Sequence, residues 1–440
     1  MKIKVYSASA RPTTLRETIR IFPLSKSDNL QNQLNQIVTH LGILHNAIQN
    51  EFKAEARETL LFFTPEGQKV FLLGLNGANE KPIDWLNIFR AFGFAQKNKL
   101  NHQIVIDLSF CAAPIHPPSV TDIVNGLLLS TYQLGTLYKS VPIDAHPFLS
   151  QDTHLQLVVP DTYAPKVWQQ AAEEGQLVAE VQTSVMQLVN LAANHKTPSF
   201  LANWAIEAGQ QWGFEVQTFD QEGCERLGLH ALLAVGKGSV ESPQFIVMNY
   251  RGEATEGVEL PCVGFVGKGI TFDTGGISIK PNTNMYMMKS DMGGAAAVFG
   301  AVVLAARLRL PLQVVGIVPS AENMPDANAY KPSDVLQTYL GKTIEVIDTD
   351  AEGRIVLADA LAYMVKQFSP KYLIDLATLT GSAVATLGYQ CAALFSNDDA
   401  LAQQLTASGE ATGERLWRLP LWDAYADDLK SDVADIANLS

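Results

Sequence analysis

A chain of 440 residues, 47% hydrophobic and 18% charged, is long enough for two domains and a large core, and its composition excludes a disordered protein. The net charge of −13 is uneven: residues 1–150 carry 14 Lys+Arg against 11 Asp+Glu, and residues 151–440 carry 18 against 34. An acidic second half disfavours a general nucleic-acid role, because phosphate binding needs a basic surface, and it suits a site that holds cations.

The first residues, Met1 to Tyr6, read as a strand and contain no signal-peptide core. Apolar runs at 59–63 and 69–75 predict paired strands, 84–97 a helix, 103–108 a buried strand and 120–138 another helix. Residues 141–165, rich in Pro, His and Asp, read as a linker, and 165–191 has the period of a connecting helix that stops before Pro198. Strands are expected at 245–250, 262–266, 312–318, 344–347 and 372–376, and helices at 293–308 and 355–368. The longest apolar run, 293–306, is shorter than the roughly 20 residues of a membrane span and reads as a buried helix.

The expected fold is therefore α/β in two domains. A small N-terminal α/β domain covers 1–150, a linker and connecting helix cover 151–187, and a larger catalytic α/β domain covers 188–440. Its strands alternate with helices, which predicts a central mixed, mostly parallel sheet with ligands beyond the carboxyl ends of the strands. Cys111, Cys224, Cys262 and Cys391 are scattered without a C-x-x-C pair, so they read as buried free thiols in a reducing, cytoplasmic setting.

Chemistry concentrates in the second half. Lys268 and Asp273 lie in the glycine-rich run G-K-G-I-T-F-D-T-G-G at 267–276, followed by Lys280; Asp291 precedes Gly293-Gly294; Asp350, Glu352 and Arg354 lie in D-T-D-A-E-G-R at 348–354. Carboxylates gathered without His or Cys suit hard divalent cations, and Lys and Arg beside them suit a developing negative charge. Read as an extended segment, Asp350, Glu352 and Arg354 alternate and share a face. Asp291 can be read as a helix N-cap or as a ligand. The residues before Lys268 do not form a Walker loop, and the second G-K-G, at 236–238, has no carboxylates near it and reads as structural. His195 and His230 form no H-E-x-x-H, and no G-x-S-x-G elbow is present.

These motifs resemble those of the leucyl aminopeptidase family, the cytosol aminopeptidases, from about residue 188 to the end. The segments 266–276, 288–294 and 348–354 match its signatures in order, and 321–325 and 376–381 match flanking segments. The resemblance implies an enzyme that removes leucine-like N-terminal residues from peptides. A hydroxide held between two divalent metals, manganese or zinc with magnesium or cobalt as alternatives, would attack the first peptide carbonyl. Asp273, Asp350 and Glu352 would hold the tighter metal, and Lys268, Asp273, Asp291 and Glu352 the exchangeable one. Lys280 would polarise the carbonyl, Arg354 would hold a bicarbonate acting as general base, and Met288, Thr378, Leu379 and Gly381 would line the side-chain pocket. Asp348 stands where the family has Asn, which adds charge near the metals and bears on the second substrate residue. The family is usually hexameric, some members double as DNA-binding regulators, and members usually continue some tens of residues beyond the point where this sequence stops.

Overall fold

In β2 (Ile19–Lys26) every residue but the last is buried, and alternate side chains enter two different cores. Ile19 and Ile21 join one cluster, and Phe22 and Leu24 join another. The same split runs through β4 (Lys69–Gly77), where Phe71, Leu73 and Leu75 face the first cluster and Val70 and Leu72 the second. A strand covered on both faces needs apolar residues at consecutive positions, which explains the unbroken runs. The computed structural model describes residues 1–440 except 13–16, 28, 44–47, 49–50, 78–83, 135–137, 141–144 and 255–258.

The chain divides into Met1–Ser184 and Val185–Ser440. The first unit contains β1 (Lys2–Ser7), β2, α1 (Leu30–Leu41), β3 (Thr59–Phe63), β4, α2 (Trp85–Gln96), β5 (Gln103–Asp107), α3 (Pro117–Leu129) and β6 (His154–Val159). Its sheet runs β1-β6-β5-β2-β4-β3, parallel throughout except for the β3–β4 hairpin. Helices α2 and α3 supply Ile88, Phe89, Val120 and Ile123 to the first cluster, and α1 supplies Leu34 and Ile37 to the second.

Two expectations need correction here. His154–Val159 lies in the stretch read as a linker, yet it is β6, paired to both β1 and β5, with Leu155, Leu157 and Val159 fully buried. The surrounding Pro, His and Asp concealed that short alternation. The helix expected over 120–138 is α3, which begins at Pro117 and ends at Leu129; residues 135–137, and 141–144 of the expected linker, lie outside the described residues.

The division between the units falls within α4 (Pro165–Asn190). The second unit continues with α5 (Pro198–Trp212), β7 (Glu215–Phe219), α6 (Gln221–Leu227), α7 (His230–Gly236), β8 (Gln244–Arg251), β9 (Cys262–Gly267) and β10 (Gly269–Asp273). There follow a 3-10 turn at Met285–Ser290, α8 (Gly293–Arg307), β11 (Gln313–Asn323), β12 (Val335–Gln337), β13 (Thr343–Glu345), α9 (Glu352–Phe368) and β14 (Tyr372–Leu376). The chain closes with α10 (Gly381–Leu387), β15 (Ala392–Leu394), α11 (Asp399–Thr412), β16 (Leu416–Arg418) and β17 (Ile436–Ala437).

The main sheet of this unit runs β14-β9-β11-β8-β7, with β10 beside β11. It is mixed: β14, β9, β10 and β11 are parallel, β8 pairs antiparallel to β11, and the edge strand β7 pairs antiparallel to β8. On one face, Val315 and Ile317 of β11 pack with Leu232 and Val235 of α7 and Ile355, Val356 and Met364 of α9. Helix α8 packs on β9 and β11, and its Phe299 meets Trp204 of α5 with ring centres 5.1 Å apart. The apolar run of α8 is thus consumed by this core, as its buried residues from Gly294 to Ala306 require. The four cysteines are free; Cys224 is buried, and the other three are partly exposed.

Candidate metal centre

The parallel strands deliver their carboxyl ends to one edge of the sheet. Lys268 follows β9, Asp273 ends β10, Asn323 ends β11, and Thr378 lies just beyond β14. The amino ends of α8 and α9 meet the same edge with Asp291 and Glu352. Neither helix has a side-chain N-cap, so the partial positive charge of their amino ends favours carboxylates there.

Two lysines hold the carboxylates in two groups. The Lys268 ammonium lies 2.8 Å from Asp291 Oδ2 and 2.8 Å from Glu352 Oε1, and it donates to the Thr378 carbonyl at 3.1 Å. Lys280 lies 2.7 Å from Asp273 Oδ2 and donates to Asp350 Oδ1. Asp273 is fixed further by Asn323 Nδ2 at 2.8 Å and the Gly275 N–H at 2.9 Å. The Thr378 hydroxyl donates to Asp291 Oδ1 at 2.6 Å. Gly275 and Gly276, with φ of +86° and +65°, turn the chain after β10; a Cβ on Gly275 would fall 2.7 Å from Asp350 Oδ1.

Burial sets the electrostatics. It raises the Glu352 carboxyl to about 7 and the Asp291 carboxyl to about 6, against the opposing pull of Lys268. Burial also raises Asp350. It would lower both lysines, but Glu352 and Asp291 outweigh it at Lys268, and hydrogen bonds to Asp273 and Asp350 outweigh it at Lys280. Both stay cationic, with pKa values above the usual lysine range.

Four carboxylates therefore face two ammonium groups, which leaves an excess of negative charge in a buried place. Among the described residues, Lys268 is the sole partner of Asp291 Oδ2 and of Glu352 Oε1, and Glu352 Oε2 has no donor at all. Buried carboxylate oxygens without donors are costly and call for a cation. Asp273, Asp350 and Glu352 can each offer an oxygen such that the three lie within 4.8 Å of one another. The residues present therefore fit a divalent metal.

Other expected site residues stand as follows. Glu352 and Arg354 are not on an extended segment: α9 begins at Glu352, three residues before the expected start. Residues two apart on a helix diverge by roughly 200°, so the alternation that suggested a shared face does not operate. Glu352 is 1% exposed, whereas Arg354 is half-buried with its Nε unpartnered. Asp291 is not an N-cap; Met292 holds that position, and the Asp291 side chain turns to Lys268 and Thr378. Asp348 accepts from the Asp350 N–H at 2.8 Å and so shapes the turn before α9. Met288 lies in the 3-10 turn and is partly exposed, Thr378 and Leu379 are exposed in the loop leading into α10, and Gly381 is exposed at the first position of α10.

Sequence reasoning missed two supporting residues. Asn323 is fully buried and donates from one amide to Asp273 Oδ1 and to the Thr349 carbonyl at 3.0 Å. Its segment, 321–325, was legible as a family match but carried no role. Asn438 donates to the Asp348 carbonyl at 2.7 Å and accepts from the Ile347 N–H at 2.7 Å, pinning the 348–354 segment from the far end of the chain. No local sequence signal marks it.

A family model described as the cytosol aminopeptidase family, catalytic domain, matches residues 183–440. A probable cytosol aminopeptidase of Chlorobium luteolum is 40% identical over 438 residues, covering 95% of this chain and 84% of the relative. One from Chlorobium limicola is 37% identical over 445 residues, covering 98% and 88%. Among solved structures, a variant of tomato leucine aminopeptidase aligns with a TM-score of 0.86 at 29% identity, covering 99% of this chain and 85% of that one. The bottromycin maturation enzyme BotP in complex with Mn aligns with a TM-score of 0.79 at 31% identity, covering 96% and 86%.

Proposed function

The chain belongs to the cytosol aminopeptidase family, and from that premise we propose that it is a two-metal aminopeptidase that removes leucine-like N-terminal residues from peptides. The observation that carries the metal requirement is the cluster of Asp273, Asp350 and Glu352, the first and last buried and Asp350 partly so, with Glu352 Oε2 lacking a donor among the described residues. One cation would take these three residues, and a second would take Lys268, Asp273, Asp291 and Glu352. Oxygen donors with a single amine suit manganese or zinc, with magnesium or cobalt as alternatives. Divalent cations there would supply Lewis acidity and a nucleophile available at neutral pH.

The chain's own groups do the rest. Lys268 must release its proton to become a ligand, and cations beside it favour the neutral amine. Lys280 keeps its proton and offers a positive charge where the scissile carbonyl oxygen becomes negative. Arg354 presents a planar fork of N–H donors, one of them unpartnered in its buried position, which suits a small planar oxyanion such as bicarbonate. Met288, Thr378, Leu379 and Gly381 would receive the first side chain of the substrate, with Asp348 near the second residue. Discrimination in an apolar pocket is modest, about 1–3 kcal/mol per methylene. A homohexamer belongs to the same reading and would be recognised by light scattering after size exclusion.

The test is hydrolysis of a leucine anilide with manganese or zinc, after chelation, and with the substrate amine acetylated. Metal-dependent release that acetylation blocks is the expected result. Release that survives chelation would overturn the metal assignment, and equal cleavage of the acetylated substrate would overturn the restriction to free N-termini.

A further inference from the structure

Lys196 lies in the turn between α4 and α5 and is fully buried. Its Nζ makes no hydrogen bond to a carboxylate among the described residues. It donates to two main-chain carbonyls instead: Val189 at 2.9 Å, in the last turn of α4, and Lys289 at 2.6 Å, in the 3-10 turn Met285–Ser290. Burial, with Lys289 as a neighbouring cation, lowers its pKa to about 7. A buried ammonium with only carbonyl partners is costly, and a methylene chain of the same length would fill the slot without that cost. The carbonyl end of α4 offsets part of the cost through its negative dipole.

The position of the contact gives it meaning. Lys289 precedes Asp291 by two residues, and the Asp291 N–H donates to the Met288 carbonyl at 3.2 Å. The turn is tied to α4 a second time, because Lys289 Nζ donates to the Asn190 carbonyl at 2.9 Å. Backbone on both sides of Lys196 is also fixed: its own N–H reaches the Ala192 and Ala193 carbonyls, and Thr197 caps α5 through the Phe200 N–H. Lys196 thus joins a rigid helix junction to the short turn that carries Asp291 and Met288. By contrast, Asp273, Asp350 and Glu352 are carried by β10 and by the start of α9; β10 packs against this turn, but none of the three carboxylates is hydrogen-bonded to Lys196, whose Nζ partners are the Val189 and Lys289 carbonyls.

We propose that Lys196 is a positioning residue for the second cation: by holding the Lys289 carbonyl it keeps Asp291 aimed at Lys268 and Glu352, and it has no comparable effect on the cation held by Asp273, Asp350 and Glu352. The inference rests on the two-cation reading of the site. Its consequence is a split in affinity. Residues that orient a metal ligand from behind contribute roughly 10–100-fold to metal affinity, and here that contribution falls on one site of two.

The test is titration of the chelated 440-residue protein with Mn²⁺, followed calorimetrically, for the unaltered protein, Lys196→Met and Asp291→Asn. Met keeps an unbranched chain one atom shorter and removes the donors. The expected result is two binding events in the unaltered protein and, in Lys196→Met, a second event weakened about tenfold or more with the first unchanged, the pattern that Asp291→Asn also gives. The melting temperature of the chelated protein should hold in Lys196→Met. If that variant shows no cooperative transition, Lys196→Gln, which keeps a donor but is one atom shorter, takes its place with the same expected split. Two unchanged affinities, or equal weakening of both, would overturn the positioning role. No Mn²⁺ binding by the unaltered protein would instead overturn the two-cation reading, and this inference with it.

Discussion

Gly353→Ala isolates one contact in the site. Gly353 is the second residue of α9, and its φ is not in the left-handed region, so alanine is conformationally acceptable there. On helix propensity alone the change would stabilise by up to about 1 kcal/mol. The added Cβ, however, would lie 2.8 Å from Cδ, Cε and Nζ of Lys268. Lys268 is 3% exposed and cannot swing into solvent. Its backbone is fixed as well, since its N–H donates to the Leu376 carbonyl at 3.0 Å and its carbonyl accepts from the Ala295 N–H at 2.9 Å. The side chain must therefore move away from Asp291 and Glu352. Overpacking of this kind costs about 1–3 kcal/mol, so the net loss of stability should be only about 0–2 kcal/mol. Displacing a ligand by even 1 Å costs about 100-fold in rate, roughly 2.7 kcal/mol in the barrier. Urea unfolding should then show a nearly native protein, while kcat/KM on a leucine anilide falls about 100-fold. Activity within threefold of the unaltered protein, with cation affinity unchanged, would refute the place given to Lys268. Wholesale unfolding would show that the strain is not local.

Glu352→Ala removes the buried carboxylate that has Lys268 as its one donor among the described residues. It should abolish cation binding by calorimetry and lower activity by about 10³-fold or more, several kcal/mol of transition-state stabilisation, and retained activity would contradict the metal assignment. Arg354→Ala should lower turnover by about 100-fold while metal analysis finds both cations in place; their loss would make Arg354 structural. Cation affinity should depend on pH with a definite sign. In the cation-free protein Glu352 is raised to about 7 and Asp291 to about 6, so protons occupy these ligands below those values. Mn²⁺ affinity should fall as pH drops through 7 towards 5, as these carboxyls take up protons, and at the site that uses Lys268 it should keep rising above pH 7, because the raised Lys268 ammonium must also release its proton on binding. The same affinity at pH 8 and pH 5.5 would refute it.

Much of the site was legible because ligand chemistry is carried by residue type. Lys268, Asp273, Asp291, Asp350 and Glu352 stand among glycines in three short segments, and all five meet at one edge of the sheet. The α/β class was equally legible, since doubly covered strands such as β2 and β11 read as unbroken apolar runs. The start of α9 was not, because Gly353 lowers helix propensity where the helix begins, and the alternation of Asp350, Glu352 and Arg354 imitates a strand. Nor was β6, whose short alternation is surrounded by residues typical of loops.

The sequence by itself determined which donors this protein has and which family it joins, because chemistry and motif order are local properties. Only the tertiary structure decided the partners. It set Lys268 against Asp291 and Glu352, and Lys280 against Asp273 and Asp350. It also brought in Asn323, Asn438 and Lys196, each with a partner 26 to 93 residues away along the chain. Parallel strands joined by crossover helices bring their carboxyl ends together from distant segments, and no local period in the chain records which ends will meet.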